Sequence, residues 1–252
     1  MQLKLFLIIL SVFPLFCLGD EPVDFYSDLV VRNGLYFKKF TDKPFTGEVS
    51  GIKTGILKYG KQEGLWIEYW DNGQLADKGY YKKGIRNGIW EGYWENGQLW
   101  NRGRYIRGQR EGLWELYYAN GGVWGKGHFK KGKREGLWTE YFHNGQLWNK
   151  GRYKDGEREG VWVEYYDHGV LAQRGKYKNG VEDGLWQVYW EHEQLRYKAY
   201  WNEGVEVGEW MVYRRDGSLC KGSADVISKG WVYYTKERDI VSELPFGHRC
   251  FD

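Results

Sequence analysis

Six cationic residues, Lys78, Arg102, Lys126, Lys150, Arg174 and Lys198, recur every 24 residues, and Tyr69, Tyr93, Tyr117, Tyr141, Tyr165 and Tyr189 keep the same interval. Cations lined up beside phenol rings could grip an anionic polymer or lipid headgroups. The plainer explanation is a solvated face that keeps a long sheet in solution. Acids expected across from the ladder weaken it: Glu91 should face Arg102 and Glu115 should face Lys126, pairs worth less than about 1 kcal/mol each. A second series, Arg86, Arg110, Arg134 and Arg158, should sit across from Tyr81, Tyr105, Phe129 and Tyr153. Cation–π stacking, worth about 0.5–1 kcal/mol when exposed, accounts for these arginines better than a ligand does.

Catalytic chemistry finds little support. His128, His143, His168, His192 and His248 take different places in the pattern, and no His/Cys spacing suits a metal, so neither a metal nor a cofactor is expected and the chain reads as no enzyme. Glu68, Glu140 and Glu164 recur on one face, but whole units lie about 10 Å apart and nothing suggests a cleft around any two. The many aromatics invite a sugar-binding or choline-binding role, yet a sheet without a covering layer needs those rings for its own cohesion.

The elements that must position these residues follow from the repeat itself. Gly64, Gly88, Gly112, Gly136, Gly160, Gly184 and Gly208 are 24 residues apart, and Trp66, Trp90, Trp114, Trp138, Trp162 and Trp186 keep step two places later. Such self-similarity marks a repeat architecture. Asn72-Gly73, Asn96-Gly97, Asn120-Gly121 and Asn144-Gly145 carry the strongest short hairpin signal and predict type I′ turns. A second turn closes each unit at Lys83-Gly84, Arg107-Gly108, Lys131-Gly132, Asp155-Gly156, Asn179-Gly180 and Glu203-Gly204. Two-residue turns at both ends would set Trp70 opposite Leu75, Trp66 opposite Gly79, Tyr81 opposite Arg86 and Gly79 opposite Gly88. Alternation then gathers Trp66, Trp70, Leu75, Gly79 and Tyr81 on one face, and Leu65, Tyr69 and Lys78 on the other. Gly79, Gly103, Gly127, Gly151 and Gly175 would be bare so that an indole can lie across them. The expected fold is all-β: an elongated single-layer antiparallel β-meander of tandem 24-residue hairpin repeats, after an N-terminal signal peptide.

The boundaries follow. Lys4, an apolar run from Leu5 to Leu18 and Gly19 read as a signal peptide over residues 1–19, too short to span a bilayer. Cys17 raises a lipoprotein reading, against which the bulky Phe16 counts. The protein is thus expected to be exported, periplasmic or secreted. Residues 20–63 form a cap with a partial repeat, 64–222 the array, and 223–252 a closing cap segment. Cleavage would leave Cys220 and Cys250, which commonly pair in an oxidising compartment; two unpaired buried thiols are the alternative. A net charge of +3 over 252 residues gives no footprint for nucleic acid.

Glu-Gly-Leu-Trp-x-x-Tyr-Tyr, then Asn-Gly-Gln-Leu, then Lys-Gly-x-Tyr-Lys-x-Gly resembles the MORN-repeat variant family, and within it the YwqK-like bacterial proteins often labelled antitoxins. The resemblance covers most of Tyr36 to Tyr213 and includes Pro44-Phe-Thr-Gly47. It implies a single-layer β-meander used as a protein- or membrane-lipid-binding scaffold. The resulting expectation is an exported scaffold that binds a protein partner through an extended sheet face. The alternatives are an anionic phospholipid or acidic envelope polysaccharide held by the basic ladder, and an antitoxin-like neutralising protein. A signal peptide sits badly with a cytoplasmic antitoxin.

Overall fold

The computed structural model describes residues 21–219. The expected signal peptide, Cys220, Cys250 and the expected closing segment at 223–252 lie outside the described residues. Within them there is no helix, and 17 strands hydrogen-bond into one open sheet, an antiparallel meander apart from its first pair. Its body runs Lys61–Tyr69, Leu75–Lys82, Ile85–Tyr93, Leu99–Ile106, Gln109–Tyr117, Val123–Lys130, Lys133–Tyr141, Leu147–Lys154, Glu157–Tyr165 and Leu171–Lys178, and continues to Val205–Val212. At its start, Val23–Asp24 pairs in parallel with Gly47–Ser50. A separate hairpin, Leu29–Arg32 with Leu35–Lys38, is hydrogen-bonded to the Tyr59-Gly60 turn of the sheet through Tyr36 and Gly60. Val23, Leu29, Val49, Leu57 and Trp66 form a small core there. The sheet is therefore two layers thick at its beginning and one layer beyond.

The two turns of a unit are built differently, and the expected assignment of type I′ to Asn-Gly is corrected. At Lys83-Gly84 both residues have positive φ (54° and 80°) and Lys82 pairs with Ile85, which is the type I′ arrangement. At Asn72-Gly73 only the glycine has positive φ (81°). There Gly73 N–H donates to Trp70 C=O (2.8 Å) and Trp70 N–H donates to Gln74 C=O (2.7 Å). That is a three-residue loop with a glycine bulge. The asparagine is kept for its side chain: Oδ1 accepts from Gln74 N–H (2.9 Å) while Nδ2 donates to Glu95 C=O of the next unit (2.8 Å). As a result Tyr69, not Trp70, stands opposite Leu75. Trp70 leaves the aromatic face and donates its indole N–H to Tyr93 C=O at the turn edge (3.1 Å). His168 and His192 replace asparagine at this position and still reach the next unit's backbone, at Glu191 (3.4 Å) and Arg215 (2.9 Å).

A second correction concerns Gly88, which does not face Gly79. Tyr81 pairs with Arg86, but Gly79 pairs with Trp90, so two extra residues bulge out beside Tyr80. The same bulge recurs at Gly112, where the register passes from Glu111–Arg104 to Trp114–Gly103. Two extra residues preserve the alternation of faces while adding twist. The bulge also frees a carbonyl, and the tryptophan takes it: Trp90 Nε1 donates to Tyr80 C=O (3.1 Å), Trp114 Nε1 to Arg104 C=O (3.3 Å) and Trp138 Nε1 to His128 C=O (3.0 Å).

Candidate functional site

The sheet presents two unlike faces. On the ring face, Trp66, Trp90, Trp114, Trp138, Trp162 and Trp186 are buried in a layer one side chain deep. Trp66 rests on Gly55, and the other five rest on the glycines expected to be bare, Gly79 receiving Trp90 and not the Trp66 it pairs with in register. A Cβ built on Gly79, Gly103, Gly127, Gly151 or Gly175 would lie within 2.1–2.3 Å of the indole of Trp90, Trp114, Trp138, Trp162 or Trp186. Tyr81, Tyr105, Phe129, Tyr153 and Tyr177 alternate with these indoles at centroid distances of 5.0–6.3 Å and near-perpendicular angles. Edge-to-face pairs of this kind contribute about 0.5–1.5 kcal/mol each beyond burial.

The arginine series roofs this row. Arg86, Arg110, Arg134 and Arg158 do face Tyr81, Tyr105, Phe129 and Tyr153 in register. Their guanidinium groups, however, stack over Trp90 (3.9 Å), Trp114 (4.4 Å), Trp138 (4.2 Å) and Trp162 (4.3 Å), and over the aromatic of the following unit. The cause is the bulge, which brings the tryptophan four residues on beneath its own strand's arginine.

Carboxylates complete the roof. Asp77 accepts from Arg86 (2.9 Å), yet burial, assisted by the nearby charge of Glu68, outweighs that pairing and pushes the Asp77 carboxyl up to about 6. A raised carboxyl pKa means the folded state binds more protons than the unfolded one between about pH 4 and 6, so this group's contribution to stability falls as pH rises through that window. Asp77→Asn should match the wild type near pH 4 and exceed it at pH 7 by about 1–2 kcal/mol. Denaturant titrations at the two pH values check this; a pH-independent difference, or one of opposite sign, contradicts it.

The outer face carries the basic ladder. Lys78, Arg102, Lys126, Lys150, Arg174 and Lys198 fall in one cross-strand row, interleaved with Ile67, Glu91, Glu115, Thr139, Val163 and Gln187. Glu91 pairs with both Lys78 (2.8 Å) and Arg102 (3.3 Å), and the Lys78 ammonium, as its main partner, holds the Glu91 carboxyl below its usual range. From Lys126 onward the row contains no acid, and Lys126, Lys150, Arg174 and Lys198 make no ion pair among the described residues. The tyrosines flank the row: Lys78 lies 5.5 Å from the Tyr93 ring and Arg174 5.9 Å from Tyr189.

Sequence reasoning placed Leu65 on this face but overlooked the parallel row to which it belongs. Leu65 pairs with Tyr80, Ile89 with Arg104, Leu113 with His128, Leu137 with Arg152, Val161 with Lys176 and Leu185 with Tyr200. The aliphatic members of that row are 37–68% exposed. The 24-residue spacing of Arg104, His128, Arg152 and Lys176 was the available signal. Among the described residues no three His, Cys, Asp or Glu side chains converge to hold a metal ion.

An open antiparallel ribbon of near-identical hairpins, with rings sealed on one side and cations with aliphatics displayed on the other, defines a β-repeat scaffold. The MORN repeat variant model matches five consecutive segments, residues 62–83, 86–106, 110–131, 134–155 and 158–179, so these five segments are tandem repeats of that kind. No curated protein matches the chain.

Proposed function

We propose that this chain is an exported, non-enzymatic scaffold that binds a protein partner through the outer face of its sheet. The observation that carries the reading is the in-register line Leu65, Ile89, Leu113, Leu137, Val161 and Leu185, exposed where a purely solvated face would be polar. Scattered surface aliphatics need no explanation, but a regular row in which they alternate with Tyr80, Arg104, His128, Arg152, Lys176 and Tyr200 has the mixed apolar and polar character of a protein-docking surface. Export is supported by the apolar run at residues 5–18. The double substitution Leu113→Asp with Leu137→Asp should leave folding within about 0.5 kcal/mol of wild type, since both side chains are about half exposed. It should abolish high-salt-resistant capture of a defined partner from envelope extract; unchanged capture at high salt counts against the proposal.

A second reading is supported by the acid-free run Lys126, Lys150, Arg174 and Lys198. Four cations without an ion pair among the described residues suit an anionic surface, phospholipid or polysaccharide. This reading expects co-sedimentation with phosphatidylserine vesicles that fades as salt screens the exposed charge. The triple change Lys126→Glu, Lys150→Glu and Arg174→Glu would remove that binding.

A further inference from the structure

Each unit sets one aromatic ring where its Asn-Gly-type turn begins: Trp70, Trp94, Tyr118, Phe142, Tyr166 and Trp190. None of these belongs to the row of buried indoles that holds the sheet together. Their polar tips are tied to the backbone of the next unit. Trp70 Nε1 donates to Tyr93 C=O (3.1 Å), Trp94 Nε1 to Tyr117 C=O (3.1 Å), Tyr118 Oη to Tyr141 C=O (2.6 Å) and Tyr166 Oη to Tyr189 C=O (2.8 Å). The rings are thereby held along one edge of the sheet, successive ones two strand spacings, about 10 Å, apart.

From Tyr118 onward these rings are partly buried, and three of them are visibly covered. His143 stacks on Tyr118 (3.6 Å), His168 stacks on Tyr166 (5.6 Å), and Arg215 lies over Trp190 (5.2 Å). His143 and Arg215 each stand one unit and one residue after the ring they cover; at that offset from Trp70 and Trp94 are Glu95 and Ala119. A carboxylate does not stack on the negative face of an indole, and a single methyl group is too short to cover one. Trp70 and Trp94 are accordingly 37% exposed, and Trp100, 5.7 Å from Trp94, is 42% exposed, the three most open tryptophans among the described residues. The polar groups beside them are acids and amides. Residues 70–74 and 94–98 contain no lysine or arginine, and their Asp71 and Glu95 make no ion pair among the described residues. Gln74 reaches across Gly97 and Gln98 across Gly121, and neither side-chain amide has a hydrogen-bond partner among the described residues.

We infer that this edge, over Trp70, Trp94 and Trp100, is a binding strip for a neutral polysaccharide of the cellulose or chitin type. In such a chain every second sugar presents the same face, at an interval close to the about 10 Å that separates one unit's indole from the next. The face of each sugar is apolar and bears the positive ends of its C–H bonds, which complement the negative face of an indole. Its hydroxyl groups need acceptors and amides at the rim, which Asp71, Glu95, Gln74 and Gln98 supply. Two carboxylates without a cation repel an anionic polymer, and an apolar peptide laid here would bury them and the amides without partners. The strip stands independently of both readings of the outer face.

The test is isothermal titration calorimetry of the full chain with cellohexaose and with chitohexaose. Maltohexaose, whose linkage coils the chain and destroys the repeat, serves as control. At least one of the first two should bind, and maltohexaose should not. Ala119→His should weaken that binding about tenfold or more, because it sets over Trp94 the ring that His143 sets over Tyr118. It removes no contact of the fold and should melt no lower than wild type. Trp100→Ala, which deletes an exposed ring that makes no hydrogen bond among the described residues, should weaken binding to a similar degree. Lys150→Glu with Arg174→Glu, in the basic ladder, should leave it unchanged. The proposal is overturned if neither cellohexaose nor chitohexaose binds, if maltohexaose binds equally well, if Ala119→His or Trp100→Ala binds like wild type, or if the loss follows the ladder variant. Full displacement of the sugar by choline at the same concentration would assign the indoles to a quaternary ammonium group and overturn it as well.

Discussion

Gly127→Ala is expected to destabilise the array by about 3 kcal/mol, although it adds one methyl group to a strand position with ordinary backbone angles. That methyl would lie 2.3 Å from Cδ2 of Trp138, a side chain fully buried and fixed by its hydrogen bond to His128. The clash is with a rigid ring and cannot be relieved at the tip of a flexible chain. Gly136→Ala is the control: its φ is +70°, but nothing lies within 4 Å of the new Cβ, so only about 1 kcal/mol of backbone strain is expected. Urea unfolding of the two variants decides the matter; equal losses would mean that the glycines serve the backbone and not the indoles. The chain already contains an instance of the exchange. At the last repeat the equivalent position is Ala199, and there Trp210 stacks on Tyr197 (5.2 Å, 13°) with its Nε1 buried and unpaired among the described residues.

Trp138→Ala should cost more, about 4 kcal/mol for the lost burial, together with the stranding of the His128 carbonyl. Because each unit touches chiefly its neighbours, the loss should divide one unfolding transition into two, one for each flank of the gap. Trp138→Phe separates the contributions: it keeps most of the ring and should cost only about 1–2 kcal/mol, largely through the unpaired carbonyl. Calorimetry of the two variants would show this; a single unsplit transition for Trp138→Ala speaks against nearest-neighbour coupling.

Much of this was legible from residue spacing. The pairings Trp66–Gly79, Tyr81–Arg86, Glu91–Arg102 and Glu115–Lys126 follow from alternation and turn position, and all occur. What sequence missed came from backbone irregularity. Asn72-Gly73 carries the signature of one turn type and adopts another, because its asparagine is engaged by the next unit, a contact no single hairpin reveals. The paired extra residues at Gly88 and Gly112 leave side-chain parity intact, so hydrophobic alternation could not expose them. The departures at Gly92, Leu116 and Phe129 went unread for a different reason: a search for what recurs passes over what is withheld.

The coupling of consecutive units through Trp, Gly and Asn has an implication for how such a chain can change in length. Each module is received by the one before it and clasps the one after it, so gain or loss of 24 residues leaves every junction as it was, whereas any other number misaligns them all. Growth is therefore quantised, in steps of two strands or about 10 Å. Relatives of different span should differ by whole modules, as a ruler is extended only by its own graduations.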